Sequence, residues 1–110
     1  MGTMRDAGRP GPETVPLATV LAAIADPHRL GVMRRLVNAD VDEEVACGRF
    51  ELPVGKSTRS HHFVTLRDAG LITLTSYGNH STVQLRREHI RQHHPGLLDL
   101  LADSPDRSPR

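Results

Sequence analysis

Six side chains that donate hydrogen bonds follow one another at Lys56-Ser57-Thr58-Arg59-Ser60-His61. Short or forked donors at the leading end of a helix suit the base edges of a DNA major groove, and the free backbone N–H groups at that end favour phosphate. A helical wheel centred on Phe63 and Leu66 turns Ser57 and His61 outward and leaves Arg59 and His62 nearer the inner side. Ser57 and His61 are therefore the expected base-edge residues, with Lys56 and Arg59 on phosphate. Thr58, Ser60, Arg67, His80 and Arg86 complete the predicted DNA-binding set.

Histidine forms the second group, with seven in 110 residues. His89 and His93 are four apart, on one helical face, with His94 beside them. Such a pair can ligate one ion, and nickel or zinc accepts imidazole, but at least one or two more ligands are needed, which a dimer could supply. The favoured reading of His89, His93 and His94 is a partly protonatable surface cluster near phosphate or a partner chain. A nickel or zinc site is the second reading, and no cofactor is otherwise expected.

The other chemistry-bearing residues carry less. Cys47 is the only cysteine, so no intrachain disulfide forms, and the cytoplasm is the expected compartment. Gly55-Lys56-Ser57 resembles the end of a phosphate-binding loop, but the glycine needed five positions earlier is Phe50, and Gly48 is two residues too early. No Ser, His and acid set follows a catalytic motif, so no enzyme is expected. Leu17 to Ala25 looks like the apolar core of a signal peptide, yet the segment before it has no net charge and Thr19 interrupts it. No stretch approaches the roughly 18 apolar residues of a membrane span.

These residues need a scaffold, and the rest of the chain predicts one. Residues 1–14, rich in Gly and Pro, and 103–110, with Pro105 and Pro109, read as disordered tails around a domain over 15–102. Leu17, Val20, Leu21 and Ile24 recur at helical spacing, and Asp26-Pro27 caps a second helix carrying Leu30, Met33, Leu36 and Val37. A short helix and a turn are expected within 40–55, then a helix from Lys56 to Ala69 stopped by Gly70. Leu71–Tyr77 and Ser81–Arg86 alternate as a β-hairpin across Gly78-Asn79-His80, and Pro95 starts or kinks a last helix bearing Leu97, Leu98, Leu100 and Leu101. The order α-α-α-α-β-β-α is mainly α with a small hairpin, an α+β winged helix-turn-helix.

Charge follows the same division. The chain carries 14 basic and 13 acidic side chains, so bulk charge does not drive it onto nucleic acid. Residues 56–94, however, hold six basic groups against two acidic ones, a local excess that can steer a duplex.

Ser60-His61-His62-Phe63 running into Leu66-Arg67-Asp68-Ala69-Gly70-Leu71-Ile72 resembles the recognition helix of the ArsR/SmtB group of bacterial winged-helix transcription regulators. Leu21 through Ala25-Asp26-Pro27-His28-Arg29-Leu30 is similar to that group's junction of first and second helices, although His28 stands where a small polar residue is commoner. The resemblance covers about residues 16–102. It implies a homodimer formed by the first and last helices, two recognition helices in successive major grooves of a double-stranded operator, and repression released by an effector. The group's Cys-x-Cys metal site has no counterpart beside Cys47, and the pattern of Asp and His on its last helix is also missing. The alternative reading is a winged-helix interaction module that works with a partner sensor protein.

Overall fold

The computed structural model describes residues 15–39 and 41–102. The tails expected at 1–14 and 103–110 lie outside these residues. In chain order the elements are α1 (Leu17–Ile24), α2 (Pro27–Val37), β1 (Val45–Ala46), a 3-10 turn (Cys47–Arg49), α3 (Lys56–Asp68), β2 (Ile72–Ser76), β3 (Ser81–Leu85), α4 (Arg87–His93) and α5 (Leu97–Ala102).

The α1–α2 junction is written in Asp26-Pro27. Asp26 is extended, and its carboxylate accepts from the N–H groups of His28 at 2.7 Å and Arg29 at 3.1 Å while Pro27 opens the helix. Such a cap contributes about 1 kcal/mol. Against the push of burial, these two bonds hold the Asp26 carboxyl below its ordinary value. Beyond the cap, α2 buries Val32, Met33, Leu36 and Val37.

At its other end α3 stops in a paired backbone turn. Gly70 takes φ 81°, its N–H donates to Arg67 at 2.9 Å, and the Leu71 N–H reaches back to the Leu66 carbonyl at 3.2 Å. Glycine suits the left-handed position this turn demands. The chain then runs directly into β2, which pairs antiparallel with β3 from Ile72↔Leu85 to Ser76↔Ser81. Phe63, Leu66, Leu71, Ile72, Val83, Ile90, Met33 and Val20 are fully buried and form the centre of the core.

The short helix expected within 40–55 is replaced by a strand and one 3-10 turn. Val45 and Ala46 pair with Val83 and Thr82, turning the hairpin into a three-stranded sheet of order β1-β3-β2. The reason is local. Gly48 and Pro53 leave too few residues to offset helix nucleation, whereas β3 offers an unpaired edge that satisfies the backbone at once. Phe50 then turns inward, its ring 5.7 Å from that of Phe63. At the other end of the chain, Pro95 and Gly96 (φ 95°) separate α4 from α5. Leu97 and Leu101 are buried there, and α5 packs on α2.

Candidate nucleic-acid interface

The start of α3 is open on every count. Its N-cap, Gly55, supplies no side-chain cap, and a Cβ added there would meet nothing within 4 Å. The first backbone bond into the helix is Arg59 N–H to Gly55 carbonyl at 2.9 Å. The N–H groups of Lys56, Ser57 and Thr58 thus precede the helical ladder and are available to an outside acceptor. Around them Lys56, Ser57, Thr58, Ser60 and His61 are exposed and Arg59 is half-buried. This arrangement presents hydroxyl, imidazole, ammonium and backbone donors at one end of a rod.

The inward side of α3 is firmly held. Phe63 and Leu66 enter the core, and His62 is buried with its Nδ1 2.9 Å from Arg29 Nη1. Burial, foremost, and the charges of Arg29, His28 and His61 hold His62 below the usual imidazole value, with Asp26 acting the other way. Cys47 is half-buried beside this end, and burial pushes its thiol up against the pull of the Arg59 charge.

The remaining DNA-binding candidates are dispersed. Arg67 lies eleven residues along α3 from Lys56, about 16 Å at 1.5 Å per residue, and pairs with Asp68 through Nη2 at 2.9 Å. Arg86 sits at the base of the hairpin, its N–H on the Leu71 carbonyl at 3.0 Å. His80 is at the opposite end, in the exposed loop joining β2 and β3, stacked on Tyr77 with ring centres 5.1 Å apart. Arg67 is thus at the far end of α3 from Lys56, and Arg86 and His80 are at opposite ends of the hairpin.

The hairpin is fastened by residues that sequence reasoning missed. Glu44 Oε1 accepts from the Tyr77 hydroxyl at 2.7 Å and from Thr82 Oγ1 at 2.8 Å, tying the hairpin to the segment that leads into β1. These bonds, Tyr77 first, hold the Glu44 carboxyl below the usual carboxylate range, and the same contact pushes the Tyr77 hydroxyl up. Asp42 anchors the other end of that segment to α4, accepting from Arg87 Nε at 2.7 Å and Nη2 at 2.8 Å. The contacts span 33 to 45 positions, and no local pattern announces them.

The histidine candidates for metal divide. The rings of His89 and His93 are 4.4 Å apart between centres, but His89 also faces the Gly70 turn, its Nε2 3.4 Å from where a Cβ would stand. His94 ends α4 and lines a separate cleft with Arg87, Arg91 and Asp99. Among the described residues, no three His, Cys, Asp or Glu side chains gather as a metal would require.

A three-stranded sheet whose β2–β3 hairpin is the wing, with an exposed, donor-rich helix before it, defines a winged helix-turn-helix regulator that binds DNA. No family model matches the chain. It is 33% identical over 86 residues to the uncharacterized HTH-type transcriptional regulator YceK of Bacillus subtilis (strain 168), spanning 76% of this chain and 84% of that protein. The chain belongs to the HTH-type transcriptional regulators. Among the described residues no helix is long and apolar enough to cross a membrane.

Proposed function

We propose that the chain is a sequence-specific repressor in the cytoplasm that acts as a homodimer, each protomer placing the leading end of α3 in a major groove and the β2–β3 wing on the flanking backbone. The observation that carries this reading is the uncapped start of α3, where Lys56, Ser57, Thr58, Ser60 and His61 stand exposed together. Ser57 and His61 read base edges, and Lys56 and Arg59 hold phosphate.

Exposed leucines support the homodimer. Leu17 and Leu21, four apart on α1, are 55% and 45% exposed, and Leu100 on α5 is 66% exposed. Apolar side chains of this size gain about 1.5–3 kcal/mol each when fully covered. A nickel or zinc response would require a second protomer to complete the coordination begun by His89 and His93.

Selection of duplexes from a random library, followed by mobility-shift titration at several salt concentrations, tests the reading. A dimeric repressor retains a two-fold symmetric site, half-sites one or two turns apart, with affinity falling steeply as salt rises. Sedimentation of the free protein should give twice the chain mass. Binding without sequence preference, or a monomer on a single half-site, refutes it.

A further inference from the structure

His62 is 6% exposed and lies in the middle of α3, one residue from the outward His61. Its Nδ1 is 2.9 Å from Arg29 Nη1. A guanidinium donates and never accepts, so Nδ1 must be the acceptor, and the ring is neutral with its proton on Nε2. Arg29 is itself held twice more. Its Nε donates to the Ala23 carbonyl in the last turn of α1 at 2.6 Å, and its backbone N–H donates to Asp26 at 3.1 Å. One side chain therefore joins the end of α1, the start of α2 and the centre of α3.

With Phe63 and Leu66 seated in the core, that junction ties the rotation of α3 to α1 and α2. Side-chain tips stand about 5–6 Å from a helix axis, so a turn of about 20° carries Ser57 and His61 about 2 Å sideways. A hydrogen bond to a base edge tolerates only a few tenths of an ångström. We propose that Arg29 and neutral His62 form a proton-sensitive lock on the recognition helix, so that affinity for DNA falls when His62 gains a proton. The inference rests on the DNA-binding reading of α3. Arg29 and His62 act as positioning residues and touch no base.

The chemistry of the lock is a clash of donors. A proton on Nδ1 sets N–H against N–H and adds a positive ring beside the Arg29 guanidinium. From the α1–α2 junction the groups facing the ring are Asp26, Arg29 and His28, whose ring centre is 5.7 Å away; from α3 itself it is His61, at 6.5 Å. Asp26 favours the charged ring, while Arg29, His28, His61 and burial oppose it. Because the folded state holds the ring below its ordinary 6.5, the contribution of the neutral form is complete above that pH and is lost progressively as pH falls beneath it.

The test compares the full chain with His62→Asn and Arg29→Met, on a duplex enriched from a random library by the wild type at pH 7.5. Asparagine offers Oδ1 near the position of Nδ1 but does not titrate. Affinity and melting temperature are measured from pH 7.5 to 5.5 at constant ionic strength. Wild-type affinity should fall by up to about tenfold for each pH unit below the point where His62 takes up its proton. His62→Asn should bind within about threefold of wild type at pH 7.5, since its amide oxygen still accepts from Arg29. It should lack the acid loss, which separates His62 from the exposed His61 and His80. Arg29→Met should lose about tenfold or more at pH 7.5 while still melting cooperatively, as one missing charged hydrogen bond implies. Ring nitrogen shifts measured without DNA should report His62 neutral, protonated at Nε2. An identical pH slope in His62→Asn, wild-type affinity in Arg29→Met, or a His62 ring charged at pH 7 overturns the lock. Failure of the wild type to enrich any duplex removes the DNA-binding reading and the affinity claim with it, while the ring shifts still decide whether the Arg29–His62 contact exists.

Discussion

Replacing Arg87 with methionine removes the donor that Asp42 meets twice, at 2.7 and 2.8 Å, and that also reaches the Val37 carbonyl at 3.2 Å. Charges about 4 Å apart at an effective dielectric near 20 attract by about 4 kcal/mol. Desolvation and side-chain ordering offset most of that. The side chains of Arg87 and Asp42 are 26% and 27% exposed, between the surface case and the fully buried one. A coupling of about 1–2 kcal/mol follows. The single change Arg87→Met costs more, about 2 kcal/mol, because it strands the Asp42 carboxylate and leaves the Val37 carbonyl a bond short. For a domain of this size that lowers the melting temperature by about 8–16 °C. Denaturant unfolding of wild type, Arg87→Met, Asp42→Asn and the double variant closes the cycle. If the two single losses add to within about 0.3 kcal/mol, the pair contributes nothing specific and the account of how α4 holds the segment before β1 is wrong.

Other substitutions reach the proposed DNA surface, the wing and the histidines. Arg59→Ala should weaken binding evenly across operator variants and flatten the salt slope by about one, whereas Ser57→Ala and His61→Ala should shift sequence preference by about 1–3 kcal/mol per base contact. Equal losses on every sequence for all three would reassign Ser57 and His61 to the backbone. Glu44 is held below its ordinary 4.5 by Tyr77 and Thr82, so its contribution to stability is present above that pH and fades as pH falls. Melting temperatures between pH 5 and 3 should therefore drop more in wild type than in Glu44→Gln, and parallel curves would exclude the Glu44 contacts as the cause. Should nickel or zinc prove to alter DNA binding, His89→Ala with His93→Ala should abolish that response in a calorimetric titration while leaving metal-free binding intact; an unchanged response would move the sensor elsewhere.

Much of this architecture is legible wherever neighbours in the chain are also neighbours in space. Asp26-Pro27, Gly70, Pro95 and the alternation of Leu71 to Arg86 mark boundaries that the structure places within a residue or two. The outward turn of Ser57 and His61 follows from Phe63 and Leu66 pointing in. Residues 40–55 read differently because their conformation is decided by a partner: Val45 and Ala46 become a strand through Val83 and Thr82, 36 to 38 positions away. The same holds for Arg29 and His62, 33 apart, and for Asp42 and Arg87, 45 apart. Helical periodicity identifies His62 as inward without revealing which donor it meets there.

The elbow at Ala69–Leu71 has a mechanical consequence. With both backbone bonds of that turn closed and β1 stitched along the far side of the hairpin, α3 and the hairpin are joined like the two arms of a caliper. On the docking proposed above, a duplex would have to bring its groove and its flanking phosphates to the set span, and stiff or flexible base steps differ in what that costs. On that reading, discrimination by DNA shape is built into the elbow itself, ahead of any contact with a base.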